Sequence, residues 1–165
     1  MSNGTLIAGI GNIFLSDDGF GVEVANRLAT RPVPDGVRVA EFGIRGVHLA
    51  YELLDGYDAL ILIDAMPMGA APGTLAVLDA TDGQLPGAGG EEAVMDAHSM
   101  SPEVVLATLS HLGGEVGRVL VIGCQPASLD EGIGLSGPVA AAVDTAVELS
   151  LQMVPEVAQH EGRKP

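Results

Sequence analysis

The chain predicts a doubly wound α/β fold on a mixed, mostly parallel sheet, and three observations lead there. Short apolar runs alternate with stretches of helical periodicity in the order strand, helix, strand, helix, strand. Apolar residues make up 47% of the 165, yet aromatics are only 3% and Trp is absent. The core is therefore aliphatic, as suits parallel strands buried on both faces. A further short strand follows Pro72-Gly73 without an intervening helix, which predicts antiparallel pairing at an edge. At this length a single domain is expected, spanning 1–155, with 156–165 as a flexible tail.

Leu6 to Gly9 reads as the first strand. Gly19 to Leu28 reads as a helix, because Val22, Ala25 and Leu28 share one face and Pro32 lies just beyond the end. Val37 to Phe42 is the second strand, Val47 to Leu54 the second helix, and Ala59-Leu-Ile-Leu-Ile63 a third strand apolar throughout. Thr74 to Leu78 is the edge strand. From Asp79 to Ala97 the chain carries Gly83, Pro86, Gly87, Gly89 and Gly90 with little periodicity, which predicts a long, mobile connection of the kind that serves function or is disordered. Ser101-Pro102 supplies a cap and a first-turn proline for a third helix from Val104 to Leu112. Val119 to Ile122 is the last strand, and Ser136-Gly-Pro138 opens a final helix ending near Met153.

The most informative stretch is Gly9-Ile-Gly-Asn-Ile-Phe-Leu-Ser-Asp-Asp-Gly-Phe-Gly21, between the first strand and the first helix. It begins like a dinucleotide loop, but a dinucleotide loop needs a third glycine shortly after the second so that backbone N–H groups face a pyrophosphate. Ile13 and Phe14 occupy that space, and Asp17 and Asp18 stand where the anion would sit. Two carboxylates repel phosphate and suit a hard or borderline cation. The loop argues for metal over nucleotide.

Ligands of an open α/β sheet gather at the carboxyl ends of its strands. That rule collects Asn12, Asp17 and Asp18 after the first strand, and Glu41, Gly43, Arg45 and Gly46 after the second. It adds Asp64 after the third strand, His98 ahead of the third helix, and Gly123-Cys-Gln-Pro126 after the fifth. Two carboxylates and one imidazole meeting there would form an O,O,N site suited to nickel or zinc. Each residue also has a plainer reading. Asp17 or Asp18 can cap the first helix, Asp64 can shape a turn, and His98 can be an exposed loop residue. Cys124 continues an apolar run and reads as a small core residue, whereas His48 and His111 read as partly exposed helix residues. Glu91 and Glu92 read as a solvated part of the long loop.

With 22 acidic against 7 basic residues and a formal charge of -15, the chain is not expected to bind nucleic acid or an anionic membrane. No apolar run reaches the roughly 18 residues of a membrane span, and no basic region precedes the first apolar run as in a secretory signal. A lone Cys124 fits a reducing compartment, so a cytoplasmic protein is expected. No Gly-x-Ser-x-Gly elbow or His-Glu-x-x-His helix is present. Serine, cysteine and thermolysin-like chemistries find no support.

In order along the chain, Gly9-Ile-Gly-Asn12, Asp17-Asp-Gly-Phe-Gly21, Leu62-Ile-Asp-Ala65, Pro72-Gly73, His98 with Ser101 and Pro102, and Leu129-Asp-Glu-Gly-Ile-Gly-Leu-Ser136 form a set that resembles the hydrogenase maturation endopeptidases. The resemblance covers nearly all of the chain up to about Met153. It implies a three-layer α/β/α sandwich with a mixed five-stranded sheet. It also implies a protease that trims a C-terminal extension from the large-subunit precursor of nickel-iron hydrogenases, with Asp18, Asp64 and His98 as the metal-contacting and catalytic residues. By the same resemblance the nickel arrives in the substrate, and other divalent ions such as zinc or cadmium would fit the same donors. Members of the family often carry Glu at the Asp18 position. A larger departure is Glu41-Phe-Gly-Ile-Arg-Gly46, which stands where the family usually has an Asp-Gly-Gly-Thr turn. The chain is expected to act as a monomer. Two rival readings are a non-catalytic nickel-sensing or docking accessory of hydrogenase assembly and a nucleotide-binding α/β enzyme.

Overall fold

The apolar runs lie side by side in one five-stranded sheet, and a computed structural model describes residues 4–82 and 101–162 of it, with side chains as far as residue 157. The strands are β1 Thr5–Ile10, β2 Val37–Gly43, β3 Ala59–Ala65, β4 Leu75–Asp79 and β5 Arg118–Cys124, in the order β2-β1-β3-β5-β4. All neighbours are parallel except β4, which runs antiparallel to β5 at the edge. The connection from Ala65 to Leu75 has no crossover helix to carry the chain back to the starting end of the sheet, so β4 returns antiparallel on the far side of β5. The helices are α1 Phe20–Leu28, preceded by a 3-10 turn over Ser16–Gly19, then α2 Gly46–Leu53, α3 Pro102–His111 and α4 Gly137–Gly162.

Side-chain alternation along the strands divides the core into two halves. Ile7, Ile61, Ile63, Leu120 and Ile122 face α1 and α4, where they meet Phe20, Val24, Leu28, Val139 and Val143. Leu6, Ala8, Leu60, Leu62 and Val121 face α2 and α3, where they meet Leu49, Leu53, Val105 and Leu109. The result is the three-layer α/β/α sandwich with a mixed sheet. Every residue of β1 and β3 is buried, because helices cover both of their faces.

Sequence and structure differ at two places, and one further stretch is not described. Strand β3 extends two residues past Ile63, so Asp64 is paired opposite Gly123 inside the ladder. The last helix does not stop near Met153. It continues through Pro155 to Gly162, with Val154 and Val157 buried in the core. Finally, the connection expected from Asp79 to Ala97 lies outside the described residues from residue 83 onward, as do Glu91, Glu92 and His98.

The order places a topological switch between β1 and β3. One connection leaves β1 toward β2, the next returns past it to β3, and a crevice opens at their carboxyl ends. Glycines permit the close packing there. A methyl group on Gly9 would strike the carbonyl of Gly21, and one on Gly21 would strike the carbonyls of Ile63 and Ile10. The start of α1 therefore sits directly on the ends of β1 and β3.

Candidate active site

The acidic loop leaves β1 at Gly11, whose φ of +136° only glycine adopts readily and whose missing side chain makes room for the Asp18 carbonyl. The Asn12 side chain accepts from the Phe14 N–H at 2.9 Å, and the Leu15 N–H reaches the Asn12 carbonyl at 3.1 Å. These two bonds curl the chain into a tight turn that brings Asp18 back over the strand end. There one Asp18 carboxylate oxygen accepts from the Asn12 N–H at 2.8 Å, which fixes the half-buried side chain at the crevice.

Asp64 approaches from β3, 3% exposed. Its Oδ1 has no hydrogen-bond partner among the described residues. Burial pushes its carboxyl well above the ordinary carboxylate range, and the Asp18 charge pushes it further. The Ala65 N–H opposes the rise, and Glu103 in the first turn of α3 adds to it. Asp64 is thus a buried acid beside a second acid, with a bare oxygen and no cation among the described groups. Such an oxygen suits a bound cation, which would offset both the burial and the repulsion.

The structure brings Asp18 and Asp64 to one rim, whereas His98 lies outside the described residues. Among the described residues no group of three or more His, Cys, Asp or Glu side chains is set to hold a metal ion. Two carboxylates alone are an incomplete site for a borderline ion, which favours nitrogen among its ligands.

Asp17 is not a helix cap. Neither the 3-10 turn nor α1 has a side-chain cap. The side chain is fully buried and turns away from the helix toward the loop after β5. It accepts from the N–H groups of Ala127 at 2.8 Å, Ser128 at 3.1 Å and Ser136 at 2.7 Å, and from the Ser136 hydroxyl at 2.9 Å. Burial raises its pKa, but these four bonds outweigh burial and hold the carboxyl below its ordinary value. The backbone adds more ties between the same two loops. The Ser16 N–H reaches the Gly132 carbonyl at 2.8 Å, the Gly132 N–H the Phe14 carbonyl at 2.9 Å, and the Asp17 N–H the Ser128 carbonyl at 3.1 Å. Ser16 holds a φ of +54° within this clasp.

That clasp gives the Leu129-to-Ser136 segment a role that the sequence does not disclose. The segment stands out in the sequence as part of the family resemblance, but locally Ser136 ahead of the last helix reads as a helix opening. Glu103 was missed as well, since a glutamate after Ser-Pro reads as a helix-start charge. Of the remaining candidates, Arg45 donates back to the Phe42 and Glu41 carbonyls, both at 3.2 Å, and pairs with the Glu41 carboxylate at 3.8 Å. It braces its own turn. The Cys124 thiol is buried, and burial followed by the Asp17 charge pushes it up to about 11, so it is a core residue and not a nucleophile. Gln125 anchors the segment after β3 by accepting from the Met68 and Ala70 N–H groups.

Comparison with known proteins agrees with this architecture. A family model described as hydrogenase maturation protease matches residues 22–153. The hydrogenase expression/formation protein HupM of Azotobacter chroococcum is 37% identical over 153 residues, covering 92% of this chain and 71% of that protein. A putative hydrogenase maturation protease of Methanocaldococcus jannaschii is 37% identical over 150 residues, covering 88% and 93%. Among solved structures, the hydrogenase maturating endopeptidase HybD of E. coli superposes with a TM-score of 0.74 at 29% identity, covering 93% of each chain. The hydrogenase 2 maturation peptidase of a Thaumarchaeota archaeon gives 0.69 at 32% identity, covering 92% and 98%.

Proposed function

Because the chain belongs to the hydrogenase maturation protease family, we propose that it removes a C-terminal extension from the large-subunit precursor of a nickel-iron hydrogenase, and that it does so only once nickel is in place. The observation that carries this is Asp64: a buried carboxyl with an oxygen that has no hydrogen-bond partner among the described residues, at the crevice it shares with Asp18. An uncompensated buried acid costs stability, and a site that takes up a cation with its substrate gives that cost a use. Asp18 and Asp64 would offer oxygens to the precursor's nickel and His98 a nitrogen, a mixed set suited to that ion.

In this reading the chain's first task is positioning. Binding the precursor's nickel at the rim holds the scissile peptide bond in the crevice, and proximity supplies much of the rate. Hydrolysis then needs water to add to the carbonyl carbon and the departing amine to gain a proton. The adding water itself can supply that proton, while Asp64, whose carboxyl burial pushes up in the free protein, would be held as the carboxylate once its oxygen is given to the nickel. The clasp made by Asp17 keeps the loop that carries Asp18 in register while the precursor tail enters.

The test is cleavage of purified precursor, nickel-loaded and nickel-free, followed by mass spectrometry. Loss of the C-terminal peptide from the loaded form alone is expected. Asp18→Ala, Asp64→Ala and His98→Ala are expected to abolish it, by roughly a thousandfold or more if each holds the reacting centre. Cleavage of both forms would remove nickel from the reading. Tight binding of the loaded precursor without peptide release would leave a docking accessory instead.

A further inference from the structure

We propose that the outer face of α2 is the dock for the body of the precursor whose tail enters the crevice. A surface helix packs one apolar stripe on the core and turns polar residues to water. Helix α2 buries Leu49, Ala50 and Leu53 in this way. Yet Val47 and Tyr51 on its other side are each 55% exposed and Leu54 is 41% exposed, at spacings of four and three residues that align them along the helix. Ile44, three residues before Val47, is 61% exposed and extends the row toward the rim. From Val47 to Leu54 the row covers about 10 Å of helix. Scattered exposed apolar residues are ordinary, but an aligned row on a helix that already has a buried face marks a contact surface.

The row leads to the site. Ile44 follows Gly43, whose carbonyl accepts from the Gly11 N–H at 3.0 Å, and Gly11 packs against the Asp18 carbonyl. A protein with its tail held at Asp18 and Asp64 therefore lies beside Ile44, and the row continues beneath it. The nearest cation, Arg45, is occupied by the Glu41 carboxylate and the Phe42 carbonyl. The chain as a whole carries a charge of -15, so general electrostatic attraction to another acidic or neutral protein is weak. The occupant that fits is an apolar patch on the folded precursor, with Tyr51 as its anchor. This rests on the processing of that precursor proposed above.

The experiment is steady-state cleavage of nickel-loaded precursor by the full chain and by Val47→Asp with Tyr51→Asp. Both positions are exposed, so the thermal midpoint should hold. A milder pair, Val47→Ser with Tyr51→Ala, repeats the test in case the charged pair unfolds. Docking predicts a KM raised about tenfold or more with kcat within about twofold, since the loss falls on binding and not on the reacting groups. Wild-type cleavage with an unchanged KM in the folded variants overturns the dock and leaves the function standing. Absence of both binding and cleavage by wild type overturns the function, and the dock with it. A wild-type dimer at micromolar concentration that the variants convert to monomer, with KM unchanged, assigns the row to a second copy of this chain and also overturns the proposal.

Discussion

Asp17 and Asp18 are adjacent in the chain and opposite in use. Asp18 stands half-buried at the crevice, where its carboxylate accepts from the Asn12 N–H. Asp17 turns inward and accepts four hydrogen bonds from residues at least 110 positions away. Replacing it with Ala would leave three backbone donors without an acceptor, so Asp17→Ala is expected to cost roughly 3–5 kcal/mol in urea unfolding. A loss below about 1 kcal/mol would show that the clasp is ornamental. The pH dependence has a definite sign. Asp17 has its folded pKa depressed below the ordinary 3.8, so its contribution is present above that value and is lost as pH falls through the folded pKa. The gap between wild type and Asp17→Asn should accordingly narrow on acidification below about 4. Nothing local distinguishes the two aspartates. Both read as acidic residues at a helix start; the family resemblance picks out Asp18, and the partners of Asp17, remote in sequence, give it its own use. Asp64 was legible as a residue at a strand end, but its oxygen without a hydrogen-bond partner among the described residues was not. Burial of that kind depends on what the neighbouring strands and helices leave uncovered.

Elements were more readable than contacts because their signals are local. The Ser101 hydroxyl accepts from the Val104 N–H at 3.3 Å with Pro102 in the first turn, as the Ser-Pro pair predicts. The Pro72-Gly73 turn led to an antiparallel edge strand for the reason foreseen, and Gly73 holds a φ of +88° against Pro138, where a side chain would collide. The last helix was misread at its end. Pro155, inside the helix, cannot donate to the carbonyl one turn back and ordinarily closes a helix. Burial of Val154 and Val157 against the sheet outweighs that missing bond. A chain ending at Met153 is therefore expected to lose about 3–6 kcal/mol, given roughly 1.5–3 for each buried aliphatic side chain. Chemical denaturation of the shortened chain would settle it. An unchanged midpoint would mean that the segment is a tail after all.

At the scale of the molecule, two half-cores share one sheet. Ile61 belongs to the half under α1 and α4, and its neighbour Leu62 to the half under α2 and α3. Because β3 is common to both, Ile61→Ala and Leu62→Ala should each cost about 2–5 kcal/mol and move one cooperative transition. Far-ultraviolet dichroism and tyrosine fluorescence should trace the same curve. Two separated transitions would show that the halves fold independently. Among the described residues no helix is long and apolar enough to cross a membrane, which agrees with the aliphatic runs being strands of a buried sheet. By itself the sequence determined the alternation of strands and helices, the antiparallel edge and the acidic character of the first loop. Those are consequences of periodicity, turn chemistry and charge, all carried by residues a few positions apart. The family resemblance singled out Asp18 of the two aspartates, but only the tertiary structure decided that Asp17 is a buried clasp, that Asp64 is buried with an oxygen that has no hydrogen-bond partner among the described residues, and that α2 leaves an apolar row uncovered. Burial and hydrogen-bond partnership are set by groups that meet across the sheet, and their distance in sequence leaves no local trace.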